Sequence, residues 1–460
     1  MAVPSAWSRR CPRAAVTAVA WILLALVSTR ADASDPAPYS MVYYALSPDP
    51  VATRSYLQPL RDLGCTRVHT LVYWWQAETL GGDYWKKDYR PEQIGQGYYA
   101  ALDHFVNISR QLGMAPSLRL GSNREYPGLW HPADPSGRIE PYAQWVETLA
   151  RRYAGRIDHY VIGDEENKDL TPGEYLNDFL IPLSAAIRRG DPSARVSPCA
   201  TSSSPAVAWT LDLISAGLPK HADGIACNFW YTQIDDRWEI EDLMTRVRKV
   251  WPAAEFYSSG MVYAEHRGLD DRRQAAVVAQ CMFNLWDLGW NSAPYYLYNF
   301  SITADTKENY GLAQLPAVDA PLVPSAGWKA YQTIARTFTH QRDFETASAD
   351  LIATRPADEA PVAGGGALRL APSNLLVRSM IRKSDGALLV YLAVPNVRRL
   401  THGAVDITVR SDRWTRAQQI PLLDHAGRIE LNAQAVPGQR LLVRSVPVGT
   451  EPTILVFTKP

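Results

Sequence analysis

Short apolar segments alternate with amphipathic helical segments along the chain from about residue 39 to residue 338. The apolar segments are rich in Val, Ile, Leu and Tyr, as β-strands are, whereas the segments between them repeat their apolar residues every three or four positions. This alternation predicts parallel strands that are each followed by a helix. The predicted strands are Tyr39 to Ala45, Arg67 to Tyr73, Ala115 to Leu120, Tyr160 to Ile162, Ala194 to Ala200, Gly224 to Phe229, Glu255 to Ser259 and Pro294 to Phe300.

The predicted helices fill the intervals between these strands and follow the last one. Eight strand–helix units predict an α/β fold of the (β/α)8 TIM barrel type, whose active site is built at the carboxyl ends of the strands. The predicted helices are Val51 to Leu63, Tyr98 to Leu112, Pro141 to Tyr153, Tyr175 to Arg189, Val207 to Ala216, Ile240 to Val250, Arg272 to Leu288 and Trp328 to Thr337.

The pattern changes after Thr339, where short β segments and turns replace the strand–helix units. Such a run predicts a C-terminal β-sandwich domain, which we expect to pack on the barrel. We therefore divide the chain into a targeting segment (1–33), a barrel (34–340) and a β-sandwich (341–460). The predicted sandwich strands are Leu375 to Ile381, Ala387 to Val394, Ala404 to Val409, Ile429 to Asn432, Arg440 to Val446 and Thr453 to Thr458.

The first residues have the features of a signal peptide. Three arginines between positions 9 and 13 precede an apolar stretch from Ala14 to Val27, and Ala31-Asp32-Ala33 offers small residues for cleavage. The stretch is short for a membrane span. We expect a mature protein that begins near Ser34, is secreted or periplasmic, and has no stable membrane insertion after cleavage.

Charge and cysteine usage exclude several function classes. Lys+Arg and Asp+Glu both total 47, so the sequence predicts no broad basic face and no nucleic-acid partner. The cysteines beyond the signal peptide lie in apolar segments without Cys-x-x-Cys or Cys/His spacing, which predicts buried thiols, no metal site and no cofactor. They are Cys65, Cys199, Cys227 and Cys281.

The fourth predicted strand ends in three consecutive acids, within Gly163-Asp164-Glu165-Glu166-Asn167. Clustered carboxylates raise one another's proton affinity, which is how a carboxylic acid stays protonated near neutral pH and acts as a general acid. The plainer interpretation of an isolated acidic triplet is the opening of a solvated loop.

These elements together resemble clan A glycoside hydrolases, most of all the family 39 type that includes β-xylosidases and relatives of α-L-iduronidase. In that clan the fourth strand ends in Asn-Glu, often followed by Pro and Asn, and the Glu is the acid/base. The resemblance implies that Glu165 is the acid/base and that Asp164 and Asn167 contact substrate. Further similar segments are Arg272-Arg273-Gln274-Ala275, the aromatic strand Tyr295 to Phe300, Tyr310-Gly311-Leu312 and Trp328-Lys329-Ala330-Tyr331.

Several positions depart from the clan's pattern. Asp164 replaces an Asn whose amide donates to a sugar hydroxyl, whereas a carboxylate only accepts. His69 on the second strand stands where the clan has an Arg that steadies the nucleophile, and Asn228 on the sixth stands near a frequent His. The segment Phe256-Tyr257-Ser258-Ser259-Gly260 aligns with one that ends in Thr-Glu, so the expected nucleophile position falls on Gly260.

Hydrolysis needs a second carboxylate, ~5 Å from the acid in retaining enzymes and ~7–9 Å away in inverting ones. Gly260 cannot supply it. Glu265 is the predicted catalytic partner if its loop bends back towards the acid, and it is an exposed loop acid otherwise. The other acids on the predicted rim, each a base, a sugar-hydroxyl acceptor or a surface charge, are Glu125, Asp235, Asp236, Asp305 and Glu308.

Aromatic residues gather at the ends of the predicted strands. Sugar rings present apolar C–H faces and polar hydroxyls, so flat aromatic rings interspersed with carboxylates suit a carbohydrate cleft. We therefore predict a carbohydrate substrate. The predicted substrate-binding residues, besides Asp164 and Asn167, are His69, Trp74, Trp75, Glu125, Trp130, Asn228, Trp230, Tyr231, Tyr263, Tyr296 and Tyr298.

Two function classes follow from these residues. The first is a secreted glycosidase acting on an oligo- or polysaccharide, in which Glu165 protonates the leaving oxygen and Glu265 or another rim acid is its partner. Glycosyl transfer to a second sugar uses the same residues. The second class is a barrel that has lost hydrolysis and binds carbohydrate, which Gly260 favours. The acid cluster and the aromatic rim favour the enzyme.

Overall fold

The computed structural model of the chain describes residues 39–42, 46–72, 96–121, 139–201, 206–230, 237–262, 271–296, 312–314, 323–347, 351–354, 375–395, 402–410 and 413–459. All of them belong to one compact unit, Ala37–Pro460. The predicted signal peptide lies outside these residues. Across the described part of the chain, no helix is both long enough and apolar enough to cross a bilayer.

In the described part of the chain, nine strands form the central sheet, and their pairings are parallel. They are β1 Tyr39–Val42, β2 Arg67–Val72, β3 Ala115–Leu120, β4 His159–Ile162, β5 Arg195–Ser197, β6 Ala200–Thr201, β7 Gly224–Trp230, β8 Glu255–Val262 and β9 Ala293–Tyr296. Their order across the sheet is β5-β4-β3-β2-β1-β9-β8-β7-β6. The predicted α/β class is confirmed, with a strand at each of the eight predicted places.

The two edge strands of this sheet, β5 and β6, are halves of the predicted fifth strand. β5 pairs with β4, whereas β6 pairs with β7 at the opposite edge. Pro198 and Cys199 separate the halves, and Pro198 has no N–H with which to continue a hydrogen-bond ladder. Both edges of the sheet therefore lie on one stretch of chain.

Helices follow the strands where the apolar period predicts them. The first begins at Pro50, with Asp49 Oδ1 accepting from the Val51 N–H at 2.9 Å, and it ends at Gly64 in the left-handed region at φ 111°. The fourth helical region, 172–190, contains a π-helical segment, Tyr175–Leu180. The helices are α1 Pro50–Leu63, α2 Gln96–Gln111, α3 Glu140–Arg152, α4 Ile181–Gly190, α5 Ala206–Ala216, α6 Arg237–Val250, α7 Asp271–Asp287 and α8 Ala326–Thr337.

Beyond a short pair, β10 Ala313–Gln314 and β11 Val323–Pro324, the remaining strands follow α8. They are β12 Phe344–Thr346, β13 Leu351–Thr354, β14 Leu376–Arg382, β15 Leu388–Ala393, β16 His402–Arg410, β17 Arg416–Ile420, β18 Ile429–Leu431, β19 Ala433–Val436, β20 Arg440–Gly449 and β21 Thr453–Thr458. They form two antiparallel sheets, β12-β14-β15-β21-β17-β18 and β13-β16-β20-β19. The sequence pattern does not predict β12, β13, β17 and β19, because these strands are short and β17, Arg-Ala-Gln-Gln-Ile, lacks apolar alternation.

Strand β15 is buried on both faces. Leu388, Val390 and Leu392 pack in a core that the two antiparallel sheets share. The alternate residues Leu389 and Tyr391 pack in the core formed by the parallel sheet and its helices. The six-stranded sheet therefore lies between the four-stranded sheet and the helices of the α/β part.

Helix α7 makes much of the contact with the six-stranded sheet. Phe283 stacks on Tyr391 with ring centroids 3.5 Å apart, and Phe338 packs edge-on against Phe283 at 4.8 Å. Gln280 Nε2 donates to the Val394 carbonyl at 3.0 Å. These contacts join the α/β part and the antiparallel sheets in one core.

Polar side chains line one face of the parallel sheet. The strand register places His69, Ser117 and His159 side by side on β2, β3 and β4. His69 Nδ1 lies 2.8 Å from Ser117 Oγ, and the His159 ring stacks on Tyr257 of β8 with centroids 3.7 Å apart. Strands β4 and β8 are not neighbours in the sheet, so the sheet curves far enough for distant strands to meet on this face.

We predict that the free energy of unfolding falls as the pH is lowered from about 6.5 to about 5. Burial, with nearby Arg119 and His159, holds the pKa of His69 well below its usual value, and burial, with Arg67 and Arg195, does the same for His159. In this range the unfolded chain binds protons that the folded chain does not, so acid favours unfolding, with a slope for each histidine that rises towards about 1.4 kcal/mol per pH unit as the pH falls. Urea unfolding across this range measures the slope.

The double variant His69→Gln/His159→Gln is the control for this pH dependence. It removes both buried imidazoles, so its unfolding free energy should depend much less on pH between about 5 and 6.5. An unchanged slope in the double variant would contradict the assignment to these two histidines.

We also predict that Phe283→Ala lowers the free energy of unfolding by about 3–5 kcal/mol, because it opens a cavity between α7 and the six-stranded sheet. Tyr391→Phe is the matched control. It keeps the stacked ring and removes a buried hydroxyl that has no hydrogen-bond partner among the described residues, so it should change stability by less than about 1 kcal/mol. Urea unfolding measures both, and equal losses would contradict the role of the stacked pair.

Candidate active site

The acidic segment after β4 turns sharply at Gly163. This glycine has φ 97°, in the left-handed region, and a Cβ at its position would collide with the carboxylate of Glu166. The Glu166 side chain is fully buried beneath this turn. The Glu166 side chain therefore packs against the buried side of the turn, whereas the Asp164 and Glu165 side chains lie on its accessible side.

Glu165 itself adopts the left-handed backbone conformation, at φ 61°. Among the described residues only Gln439 and Ser445 share a positive φ without being glycine. This conformation costs a residue with a Cβ about 1–2 kcal/mol and is found preferentially at functional sites. The strain at Glu165 thus points to a role for the position of its side chain.

The Glu165 and Asp164 side chains both reach Asn228, which lies on β7. Asn228 Nδ2 donates to Glu165 Oε1 at 3.1 Å and to Asp164 Oδ1 at 3.3 Å. The Glu165 side chain is 14% exposed and that of Asp164 is 33% exposed. The two acids are therefore neither turned out into bulk solvent nor covered by packing.

A buried arginine on β3 completes this cluster. Arg119 Nη1 lies 3.2 Å from Asp164 Oδ1 and donates to Asn228 Oδ1 at 3.5 Å. The Arg119 side chain is 2% exposed. Asp164 is thus paired with a cation on its inner side while part of its carboxylate remains accessible.

Lys168 forms an ion pair with the second oxygen of Glu165, Oε2. The lysine side chain is 53% exposed. Donors on both oxygens, Asn228 on Oε1 and Lys168 on Oε2, favour the ionised form of the carboxylate. Proton donation from Oε2 therefore requires that Lys168 move aside, which its exposed and flexible side chain allows.

Tyr175 holds the end of β4 against the break between β5 and β6. Its hydroxyl donates to the Ile162 carbonyl at 2.6 Å and accepts from the Cys199 N–H at 2.7 Å. Burial, reinforced by Cys199 and Glu166, raises the pKa of the Tyr175 phenol well above its usual value, so the hydroxyl keeps its proton. Cys199 and the three other described cysteines are buried and are not paired in disulfides, which confirms the predicted thiols.

Gly260, the expected nucleophile position, lies in β8 in register with Asn228. Cys227 pairs with Ser258 and Asn228 with Gly260, so Ser259 is an extra residue that forms a bulge in β8. Bulges are common next to active sites, where they redirect the chain. The position without a side chain thus lies beside the residue that both acids contact.

The structure brings together the predicted residues Asp164, Glu165 and Asn228, and Asn167 lies in the adjoining 3-10 helix Glu166–Lys168. His69 does not reach the cluster that Asp164, Glu165 and Asn228 form. It is 3% exposed and contacts Ser117 on the inner face of the sheet, so a direct contact with substrate, as predicted, is not what this position offers. Trp230 and Tyr296 end β7 and β9, and their side chains lie outside the description, as do all atoms of Trp74, Trp75, Glu125, Trp130, Tyr231, Tyr263, Glu265 and Tyr298.

Three residues of the site were missed by the sequence analysis: Arg119, Lys168 and Tyr175. Arg119 could have been noticed as a cation in an otherwise apolar or small strand, Ala-Pro-Ser-Leu-Arg-Leu. Lys168 follows Glu165 by three residues, but only the 3-10 helix brings the two together. Tyr175 gives no signal, because an aromatic residue near the start of a helix most often fills the core. In the described residues no group of three or more His, Cys, Asp or Glu side chains could hold a metal ion.

The similarity of the chain to known proteins lies in its structure. No protein-family model and no curated protein sequence matches it. A family 39 glycoside hydrolase from the gut symbiont Bacteroides cellulosilyticus WH2 is similar with a TM-score of 0.60 at 15% identity, over 92% of this chain and 81% of that one. A family 5 glycoside hydrolase from Bacteroides vulgatus ATCC 8482 gives 0.53 at 13% identity, over 92% and 89%.

A further solved structure is a Paenibacillus polymyxa xyloglucanase of family 44 with xyloglucan, which has a TM-score of 0.50 at 9% identity over 93% of this chain and 97% of that one. Similarity at these identities concerns the fold, and it implies a (β/α)8 barrel. The resemblance to clan A glycoside hydrolases that the sequence motifs indicate is confirmed at this level, with family 39 among the similar structures. The chain has a glycoside-hydrolase-like fold.

Proposed function

We propose that this chain is a secreted glycoside hydrolase that acts on an oligo- or polysaccharide, with Glu165 as its general acid/base. The convergence of Glu165 and Asp164 on Asn228, between the carboxyl ends of β4 and β7, is the observation that supports this most strongly. Active sites of α/β barrels are built at these strand ends. The strained backbone of Glu165 adds to the argument, since such strain persists where the position of a side chain matters.

The proposal includes a closed barrel and a β-sandwich, divided near residue 340, after a signal peptide cleaved near Ser34. Closure is supported by the two edge strands, which lie on one stretch of chain, and by the stacking of His159 on Tyr257 across the sheet. The sandwich is supported by the core that the two antiparallel sheets share.

In the proposed reaction substrate displaces Lys168 from Oε2, and Glu165 takes up a proton from water there. Glu165 then donates this proton to the leaving glycosidic oxygen as the C–O bond breaks, while the sugar carbon bonds to the second carboxylate or to a water that this carboxylate deprotonates. The partly exposed Asp164 carboxylate accepts hydrogen bonds from sugar hydroxyls, because an ionised carboxylate offers acceptors and no donor. Glu265 is the proposed second carboxylate, and the aromatic residues named from the sequence are the proposed sugar platforms. Asn167, Asn228 and Glu125 complete the proposed set of polar contacts.

The alternative proposal is a barrel that binds carbohydrate without cleaving it. One observation favours it: Gly260, in register with Asn228, leaves the expected nucleophile position without a carboxylate. The two proposals differ in whether another acidic residue acts as the second carboxylate.

We predict that Glu165→Gln lowers kcat at least about 100-fold on whichever substrate the wild type cleaves, because the amide cannot donate a proton as an acid does. The screen uses aryl β-glycosides and plant polysaccharides, xyloglucan among them. Glu345→Gln, at an exposed position in β12, is the matched control and should leave kcat unchanged. Wild-type turnover retained in Glu165→Gln would remove the assignment, and sugar binding without product from the wild type would favour the alternative.

Variants at the second carboxylate separate the two proposals further. If Glu265 is the partner, Glu265→Gln abolishes turnover about as fully as Glu165→Gln, because both acids act in one step. If the barrel is a binding protein, Glu265→Gln changes nothing measurable, whereas Gly260→Glu restores a carboxylate at the expected position and creates hydrolysis of activated aryl glycosides. Product release from the same substrate panel measures both variants.

A further inference from the structure

We propose that Arg119 is the positioning residue of this site: it orients the Asn228 amide and balances the charge of Asp164, so that Glu165 titrates as a single carboxylate. Its catalytic meaning rests on the proposed function, although its effect on Glu165 can be measured without substrate. Arg119 lies on β3, and its guanidinium reaches the acidic turn that follows β4.

The orientation of Asn228 follows from its neighbours. Its Oδ1 faces the Arg119 guanidinium at 3.5 Å, and its Nδ2 faces Glu165 Oε1 and Asp164 Oδ1 at 3.1 and 3.3 Å. A flipped amide would direct its oxygen at two carboxylates and its N–H groups at a cation, which is unfavourable at every contact. Arg119 thus selects the amide rotamer that donates to Glu165.

Asp164 and Glu165 are adjacent acids at the same strand end. Asp164 and Glu165 share a donor in Asn228, so their carboxylates repel each other at short range. Arg119 lies 3.2 Å from Asp164 and is 2% exposed, where water screens its charge weakly. The arginine therefore cancels most of the charge that Asp164 would otherwise impose on Glu165.

Within the described part of the chain, the other charged groups around Glu165 do not replace Arg119. Lys168 pairs with Glu165 itself and is half exposed, so its effect is screened. Glu166 lies buried beneath Gly163, near Tyr175 and Cys199. His69, on β2, lies close enough to feel the Arg119 charge, and its lowered pKa keeps it neutral. Among the described residues, Arg119 is the cation that contacts Asp164.

The test is a titration of the Glu165 side chain by carboxyl carbon NMR, with the resonance assigned by its loss in Glu165→Gln. Arg119→Met should raise the midpoint of the Glu165 titration by about one pH unit, because Asp164 then carries uncompensated charge. Adding Asp164→Asn to Arg119→Met removes that charge and should return the midpoint close to the wild-type value. Arg119→Lys keeps a charge without the planar fork and should give an intermediate result.

The matched control is Arg67→Met, which removes another buried arginine of the same face. Arg67 pairs with Asp158, before β4, and should leave the Glu165 midpoint unchanged. An unchanged midpoint in Arg119→Met, or an equal change in Arg67→Met, would overturn the proposal. Circular dichroism checks that each variant is folded. If Arg119→Met does not fold, Arg119→Lys and the charge-neutral double variant decide between the same outcomes.

The hydrolase activity and the positioning role of Arg119 can each be refuted while the other stands. A wild type that cleaves no glycoside but shows these midpoints refutes the hydrolase and keeps the positioning role. If the wild type does cleave an aryl glycoside, Arg119→Met should lower kcat at least tenfold with little change in KM, because the Asn228 amide is then no longer held in the rotamer that donates to Glu165. Activity that is independent of Arg119, with an unchanged midpoint, keeps the hydrolase and removes the positioning role.

Discussion

Buried charge inside the parallel sheet must be balanced locally, and this requirement governs the arrangement of the site. Two ion pairs bracket β4: Arg67 meets Asp158 before the strand, and Arg119 meets Asp164 after it. A guanidinium enclosed by protein is costly unless a carboxylate lies beside it. The two ion pairs therefore fix both ends of β4, and they thereby also fix the position of the acidic turn that follows it.

The histidines between these ion pairs follow from the same requirement. Barrel interiors are usually filled by Val, Ile and Leu, whereas His69 and His159 here hydrogen-bond to serines on neighbouring strands. They are buried near arginines, so the neutral form is the one that adds no further charge. Because they are neutral, these histidines pack beneath Asp164 and Glu165 without forming ion pairs with those acids.

Much of the fold could be predicted from the sequence, because strand and helix periods are local properties. The strand Ala115–Leu120 was placed correctly at both ends, and β17 was missed because its sequence has no apolar alternation. The site was accessible only in part. The acids are recognised in the sequence because they follow one another directly after an apolar strand. The contact of Asn228 with Glu165 is not, because it joins residues 63 positions apart and depends on the curvature of the sheet.

The fold alone does not decide the chemistry, because structures of families 39, 5 and 44 share it with this chain at identities of 9 to 15%. Arg119 stands out in the sequence as a cation in an otherwise apolar or small strand, but its pairing with Asp164 does not, because only the fold brings these two residues together. This chain combines a carboxylate at Asp164, a cation on β3 and a glycine at position 260, in register with Asn228.

Strand β15 has no face exposed to water, since its alternate residues enter two different cores. A sheet attached in this way is not a detachable module. Cutting the chain after α8 would uncover the rings of Phe283 and Phe338, and the excised strands would expose Tyr391 in turn. The chain therefore offers no position at which one part could be exchanged for that of another protein without exposing apolar surface. We expect the α/β part and its antiparallel sheets to be inherited and expressed together.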